Sequence, residues 1–147
     1  MILQEILRNK SATIHSISPQ ATLEDVVQTL VRHNVGALVV CEDASDSQPC
    51  QMVGIITERD ILKASAAHRA PLTAQLVQDV MTYNVVTASP SDSVEDVMGL
   101  LTDRRIRHLP ILDGGKLVGI ISIGDVVKAQ HDELSLENHY LRSYIHG

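Results

Sequence analysis

The stretch Gly54-Ile-Ile-Thr-Glu-Arg-Asp60-Ile-Leu-Lys-Ala64 recurs as Gly119-Ile-Ile-Ser-Ile-Gly-Asp125-Val-Val-Lys-Ala129. Six of the eleven positions are identical, and a hydroxyl residue, Thr57 or Ser122, holds the same place in both copies. Each copy follows a short apolar run and continues with the apolar spacing that is typical of a helix. The pair therefore predicts, twice, a strand that leads through a hydroxyl residue into a helix N-terminus.

The sequence on either side of this pair is also duplicated. Ser18-Pro19 recurs as Ser89-Pro90, and Thr22-Leu-Glu-Asp25 recurs as Ser93-Val-Glu-Asp96 with the spacing of a capping box. The offset between copies is 71 residues up to Val40 and 65 from Gly54 onward. A long polar loop at 42–51 against a short turn at 113–116 accounts for the difference. Because length changes belong in surface loops, the pattern indicates a true duplication.

Each copy predicts the order strand, helix, strand, strand, helix, which places the chain in the mixed α/β class, of the α+β type. We expect the first repeat over 1–70, the second over 76–131, and an amphipathic helix over 132–147. The predicted strands are 13–17, 35–41, 52–57, 85–87, 106–112 and 117–122, and the helices that end the repeats are 58–67 and 123–130. The C-terminal helix either packs on its own module or contacts a second copy.

The composition narrows the function classes. Apolar residues make up 44% and charged residues 20%, which is ordinary for a soluble globule. The net charge of −6 and the absence of Phe and Trp argue against nucleic-acid binding, which relies on a basic face and stacking aromatics. No apolar run is long enough to span a membrane and Met1–Lys10 is unlike a signal peptide, so we expect a cytoplasmic protein. Cys41 and Cys50 are then expected to be reduced thiols, with a loop-closing redox pair as the alternative.

The spacing Thr57-x-x-Asp60 and Ser122-x-x-Asp125 has two interpretations. A hydroxyl at the N-cap and an acid three residues later is a capping arrangement. A helix N-terminus also offers free backbone N–H groups to an anion, and a carboxylate there can accept hydrogen bonds from a ribose diol. Gly54 and Gly119 would then permit a close approach. Because Thr22/Asp25 and Ser93/Asp96 share the spacing, the spacing alone does not decide.

The chain resembles a tandem pair of CBS domains, often called a Bateman module, over about residues 1–131. The resemblance rests on the two Gly-Ile-Ile-hydroxyl-x-x-Asp motifs, on Arg105-Ile-Arg-His-Leu-Pro-Ile111, and on the repeated Ser-Pro turns. It implies two β-α-β-β-α repeats related by a pseudo-two-fold axis, with clefts between them that bind adenosine nucleotides.

The resemblance also implies roles for particular residues. Asp60 and Asp125 would hold the ribose, with Thr57 and Ser122 near the ribose or phosphate. Adenine would lie against the opposite repeat, at Val85 and Val86 for Asp60, and at Thr13 and Ile14 for Asp125. Arg107 and His108, with Pro110 in the same segment, match the phosphate-binding positions. Arg59 adds a cation to one cleft, and Gly124, at the equivalent position of the second motif, leaves room in the other. Lys10, near the first strand, could also reach a phosphate. The two clefts should therefore be unequal. Arg107 as an exposed strand residue and His108 as a partly buried imidazole remain alternatives.

The predicted function is that of a non-catalytic regulatory module. It would bind AMP, ADP, ATP, NAD or S-adenosylmethionine as a regulatory ligand, form a homodimer, and signal to a partner protein that the sequence does not identify. The alternative is a structural dimerisation module with no nucleotide ligand. The sequence holds no nucleophile arrangement, no phosphate-binding Gly-Lys-Ser/Thr loop and no metal-ligand spacing, so we expect neither an enzyme nor a metal site.

Overall fold

The computed structural model describes residues 1–10, 13–42, 50–67 and 70–146. The described helices are α1 (Leu3–Asn9), α2 (Leu23–His33), α3 (Glu58–Ala67), α4 (Val77–Val80), α5 (Val94–Arg104) and α6 (Ile123–His146), with a 3₁₀ turn at Leu72–Ala74. The described strands are β1 (Ser16–Ile17), β2 (Ala37–Cys41), β3 (Met52–Thr57), β4 (His108–Asp113) and β5 (Lys116–Ser122). The mixed α+β class predicted from the sequence is confirmed.

The strands form two small sheets that follow the duplication. In the first, β1 runs parallel to β2, and β2 is antiparallel to β3. In the second, β4 is antiparallel to β5, and Gly114 and Gly115 supply the two positive φ angles of the predicted tight turn. Each sheet carries its repeated motif at the end of its last strand.

The predicted strand at 85–87 is wrong. The second repeat keeps only a parallel bridge from Ala88 to Ile111 at the place that β1 holds in the first repeat. The N–H of Val85 donates to the carbonyl of Tyr83 (3.0 Å), and this local turn removes that N–H from strand pairing. The strand predicted at 13–17 is likewise reduced to Ser16–Ile17.

Each repeat completes its core with a helix from the start of the other repeat. Leu3 and Ile6 of α1 lie in one buried cluster with Leu109, Ile121 and other residues of the second repeat. Val77 of α4 and Met81 lie in the cluster of the first repeat, with residues such as Leu38 and Ile56. Because this exchange is reciprocal, the two repeats are joined by their cores and not only by a linker.

The chain after β5 forms one continuous helix, α6, and not the two successive helices that the sequence suggested. Its first turns pack on the second repeat, where Val126 is fully buried. Every residue from 131 to 142 is exposed. Of the two alternatives, packing on its own module is not seen for 131–142, whose apolar residues Leu134 and Leu141 face outward.

Cys41 and Cys50 form a disulfide, so the expectation of two reduced thiols is wrong. Cys41 ends β2 and Cys50 stands two residues before β3, and these antiparallel neighbours bring the two Cα atoms to 5.4 Å. That separation lies within the range a disulfide requires. Most of the polar loop predicted at 42–51 lies outside the described residues, as do residues 68 and 69.

Candidate functional site

Asp60 caps α3 with one of its carboxylate oxygens. Its Oδ2 accepts hydrogen bonds from the N–H (3.0 Å) and the Oγ1 (3.2 Å) of Thr57, and the N–H of Asp60 donates back to Thr57 Oγ1 (3.3 Å). The other oxygen, Oδ1, accepts a long bond from Thr82 Oγ1 (3.4 Å). Capping therefore engages mainly Oδ2, and Oδ1 retains capacity to accept hydrogen bonds from a ligand.

Asp60 lies in the wall of a cavity of about 830 Å³ between the two repeats. This volume falls within the range of small-molecule sites, about 300–1,000 Å³. The cavity brings together seven of the residues that the sequence singled out: Thr57, Arg59, Asp60, Val85, Val86, Arg107 and His108. Val85 and Val86 come from the second repeat and Asp60 from the first, so the cavity has walls from both repeats.

The cavity is strongly cationic. Among the described residues, its lining holds five Arg or Lys side chains against two carboxylates, Glu58 and Asp60. The five cations are Arg59, Lys63, Arg104, Arg105 and Arg107. The whole chain has twelve Lys and Arg and a net charge of −6, so this concentration at one cavity is a local feature.

The cationic residues Lys63, Arg104 and Arg105 of the cavity lining were not predicted from the sequence as site residues. Lys63 follows Arg59 by four residues on α3, a spacing that places both on one helical face. Arg105 stands at the C-cap of α5 in the left-handed conformation (φ 53°), the same backbone conformation as Asn34 after α2. Left-handed geometry is unfavourable for a residue with a Cβ, and Arg has no short polar side chain to offset the cost locally as Asn has. The strain at Arg105 is therefore accepted at a residue that lines the cavity, and its carbonyl also receives Arg59 Nη1 (3.4 Å).

His108 is half-buried in the cavity wall at the start of β4. A Cβ built on Gly36 would lie 3.0 Å from His108 Nε2 and 3.1 Å from Glu58 Oε1, so the glycine makes room for both groups. Burial holds the pKa of His108 below its usual value; the carboxylates of Glu58 and Asp125 oppose that shift, and the charges of Lys10 and Arg107 reinforce it. His108 is therefore influenced by charges at both repeated motifs.

Asp125 has the same cap as Asp60 but a different partner. Its Oδ2 accepts the N–H of Ser122 (2.9 Å), and its own N–H donates to Ser122 Oγ (3.1 Å). Lys10 Nζ lies 2.5 Å from the same Oδ2 and donates to the carbonyl of Ile120 (2.7 Å). Burial alone would raise the pKa of Asp125, but the hydrogen bonds from Lys10 and Ser122 and the charge of Lys10 together lower it.

The other predicted site residues lie apart from the cavity lining. Thr13 is exposed and Ile14 half-buried just before β1, and Gly124 is exposed in the first turn of α6. Pro110 is buried within β4, where its carbonyl accepts the N–H of Ala88 (3.1 Å). Pro110 therefore occupies a core position.

The glycines of the two motifs make room for the protein itself. A Cβ on Gly54 would lie 2.9 Å from the carbonyl oxygen of Thr82, whose segment pairs with Ile55. A Cβ on Gly119 would lie 2.6 Å from Leu7 Cδ2 of α1. The sequence suggested that these glycines allow a ligand to approach closely. In the structure, the space beside Gly54 is filled by the segment at Thr82, and the space beside Gly119 by Leu7 of α1.

Among the described residues, no group of three or more His, Cys, Asp or Glu side chains is arranged to hold a metal ion. None of the described helices combines the length and apolarity needed to cross a bilayer.

The fold and the cavity define a class: a tandem-repeat module with a cleft between its repeats. A sequence model of the CBS domain matches residues 5–67 and 77–132. The chain is 38% identical over 86% of its length to a mitochondrial CBS domain-containing protein of Arabidopsis thaliana, and the match spans 61% of that protein. It is 35% identical over 80% of its length to a CBS domain-containing protein of Bacillus subtilis, of which it covers 79%.

A solved structure agrees with these relatives. A CBS-domain-containing protein of Agrobacterium tumefaciens is 36% identical, with a TM-score of 0.80 over 88% of this chain and 99% of that one. The chain belongs to the CBS domain family, as a pair of repeats. The same fold, at 24% identity and a TM-score of 0.74, occurs in a CBS domain pair solved in complex with 5′-methylthioadenosine and S-adenosyl-L-methionine, covering 90% of this chain and 98% of that one.

Proposed function

We propose that this chain is a non-catalytic regulatory module that binds an adenosine nucleotide in the cavity at Asp60. The observation that carries the proposal is the placement of the Asp60 carboxylate and five cations around a single cavity of about 830 Å³. Asp60 Oδ1 would accept the ribose hydroxyls, as the acidic residue does in dinucleotide folds. Adenine would lie against Val85 and Val86, which offer the apolar side of the cleft.

The charge of the cavity favours ligands that carry phosphate. Arg107 and Arg59 come from opposite repeats, so a phosphate chain between them would be held from two sides. A sulfonium ligand such as S-adenosylmethionine would bring another positive centre into a cationic site, at an electrostatic cost. AMP, ADP and ATP therefore fit better than S-adenosylmethionine, and NAD fits through its pyrophosphate.

Regulation follows from the position of the cavity between the repeats. A ligand that contacts Asp60 on α3 and Arg107 beside β4 ties two bodies together, so it changes the free energy of their relative arrangement. A partner protein that prefers one arrangement would then bind more tightly or more weakly in the presence of nucleotide, and the coupling is reciprocal.

The test compares Asp60→Ala with Asp25→Ala by calorimetric titration of ATP and AMP. Both changes remove the acid of an N-terminal cap and should each lower the free energy of unfolding by about 0.5–2 kcal/mol. Asp25 caps α2 away from the cavity. We expect Asp60→Ala to weaken binding at least about tenfold, roughly 1.4 kcal/mol, and Asp25→Ala to leave it unchanged.

Equal affinity in the two variants would show that Asp60 is only a cap. In that case the structural dimerisation module becomes the better account, and the melting temperature of the protein should not respond to any adenine ligand.

A homodimer belongs to the same proposal. Val31 on α2 is 76% exposed and lines a shallow apolar groove of about 300 Å³ together with Leu30, Val35 and, from α3, Ile61. In a two-fold dimer, such an apolar face of one copy packs against the same face of the second copy, and both are removed from water. We infer that α2 and α3 form the main contact between two copies.

A further inference from the structure

The segment that follows α1 lies beside the Asp125 motif. It corresponds, in the duplication, to the segment that follows α4 and lies beside the Asp60 motif. Helix α1 ends at Asn9 and α4 ends at Val80, 71 positions apart, which is the offset of the first half of the duplication. Lys10 is therefore the counterpart of Met81. Beside the Asp60 motif, this position holds the thioether of Met81, and Thr82 follows it. Beside the Asp125 motif, the same position holds the ammonium group of Lys10.

The ammonium of Lys10 uses the acceptors that the second motif offers. It bonds Asp125 Oδ2 (2.5 Å) and the carbonyl of Ile120 (2.7 Å). The side chains of Lys10 and Asp125 are 33% and 28% exposed, so the ion pair is partly shielded from water. Leu7 of the same helix lies directly against Gly119. Helix α1 thus covers β5, and its C-cap residue Lys10 neutralises the carboxylate of Asp125.

We propose that Lys10 is a built-in occupant of the Asp125 cleft, where its ammonium takes the place of a ligand's ribose hydroxyls. The chain then has one open nucleotide cleft, at Asp60, and one closed by its own side chain. This inference rests on the proposed function, because it assumes that the Asp60 cleft takes nucleotide. Lys10 decides how many ligands the chain holds and which cleft a nucleotide enters.

The competition follows from the position of the Lys10 ammonium. At Asp125 the cap and Lys10 both bond Oδ2, so a cation already occupies the side of the carboxylate where a ligand would have to bind. A ribose diol that approaches Asp125 must share the carboxylate with a bonded cation or displace that cation. Displacement exposes a partly buried pair, and the Lys10 contact with Ile120 is lost with it. At Asp60 no such exchange is needed, because the neighbouring donors are hydroxyls.

The experiment is a calorimetric and equilibrium-dialysis titration of the full chain with ATP. We expect about one ATP per chain in the wild type and about two in Lys10→Met, which places at position 10 the residue found at position 81. The double variant Lys10→Met/Asp60→Ala should retain about one, bound at Asp125. Lys128→Met, an exposed lysine on α6, is the matched control and should bind as the wild type does.

A second variant tests the same point with Lys10 itself kept in the sequence. Asp125→Asn in the wild-type background should change neither the number of ATP molecules bound nor their affinity by more than about twofold, because the cleft is already closed. Two equivalent sites in the wild type, an unchanged count in a folded Lys10→Met, or an affinity loss in Asp125→Asn would each overturn the inference. ATP binding to none of the proteins would instead overturn the proposed function, and the inference with it.

Discussion

Asp60 and Asp125 show how the same helix cap can leave two carboxylates with different partners. The same Oδ2 atom closes the cap in both, and the partners of the carboxylate then differ: Thr82 for Asp60 and Lys10 for Asp125. The sequence predicted the cap and predicted that the two clefts would be unequal. It could not place Lys10 on Asp125, because that contact joins residues 115 positions apart and depends on which repeat α1 packs against.

His108 should make stability depend on pH. Its pKa is lowered in the folded protein mainly by burial, so the folded state binds a proton less readily than the unfolded state. The stability that neutral His108 contributes is present above the unfolded pKa of about 6.5, and it is lost as the pH falls from there through the folded pKa. We expect His108→Gln to lose less unfolding free energy than the wild type between about pH 7.5 and pH 5, measured by urea denaturation.

The control for His108 is His131→Gln on the exposed part of α6, which should follow the wild type at every pH. Since His15 remains in all three proteins, its own lowered pKa contributes equally to each and cancels in the comparison. Parallel pH profiles for the wild type and His108→Gln would contradict the assignment.

At the scale of the elements, the strands and helices inside each repeat were the most predictable. Strand β3 and helix α3 begin and end where the apolar runs and their periods placed them, and the Thr22–Asp25 capping box starts α2. Short edge pairings were less predictable, because one or two ladder bonds are decided by local turns such as the one at Val85. The continuity of α6 could have been predicted, because no Gly or Pro separates 123–130 from 132–146 and the break placed there had no stop signal behind it.

The β2–β3 hairpin carries a prediction for the disulfide between Cys41 and Cys50. The bridge closes a loop with a sequence separation of 9, and a loop of this size is worth about 2–3 kcal/mol in the chain-entropy model. A reducing agent should lower the unfolding free energy of the wild type by about that amount and leave Cys41→Ala/Cys50→Ala unaffected. Urea denaturation measures this, and reaction of both thiols in the denatured, unreduced protein would show that no bridge exists.

At the scale of the whole molecule, the exposed faces of α2 and α3 predict how two copies meet. Glutamate in place of Val31 would put charge into the apolar contact, so Val31→Glu should convert the proposed dimer into a monomer. Sedimentation velocity at micromolar concentration measures the difference. Leu134→Glu/Leu141→Glu, on the exposed part of α6, should remain dimeric; a monomer there would move the interface to α6.

The reciprocal exchange of α1 and α4 has a consequence for how the chain is synthesised. Leu3 is fully buried only against residues of the second repeat, so α1 leaves the ribosome long before its binding surface exists. At about 5–20 residues per second, the amphipathic N-terminal segment waits several seconds for β4 and β5. The first repeat meets α4 much sooner, since Val77 follows it closely in the chain. Translation therefore completes the half that carries Asp60 first, and the segment that ends in Lys10 docks last.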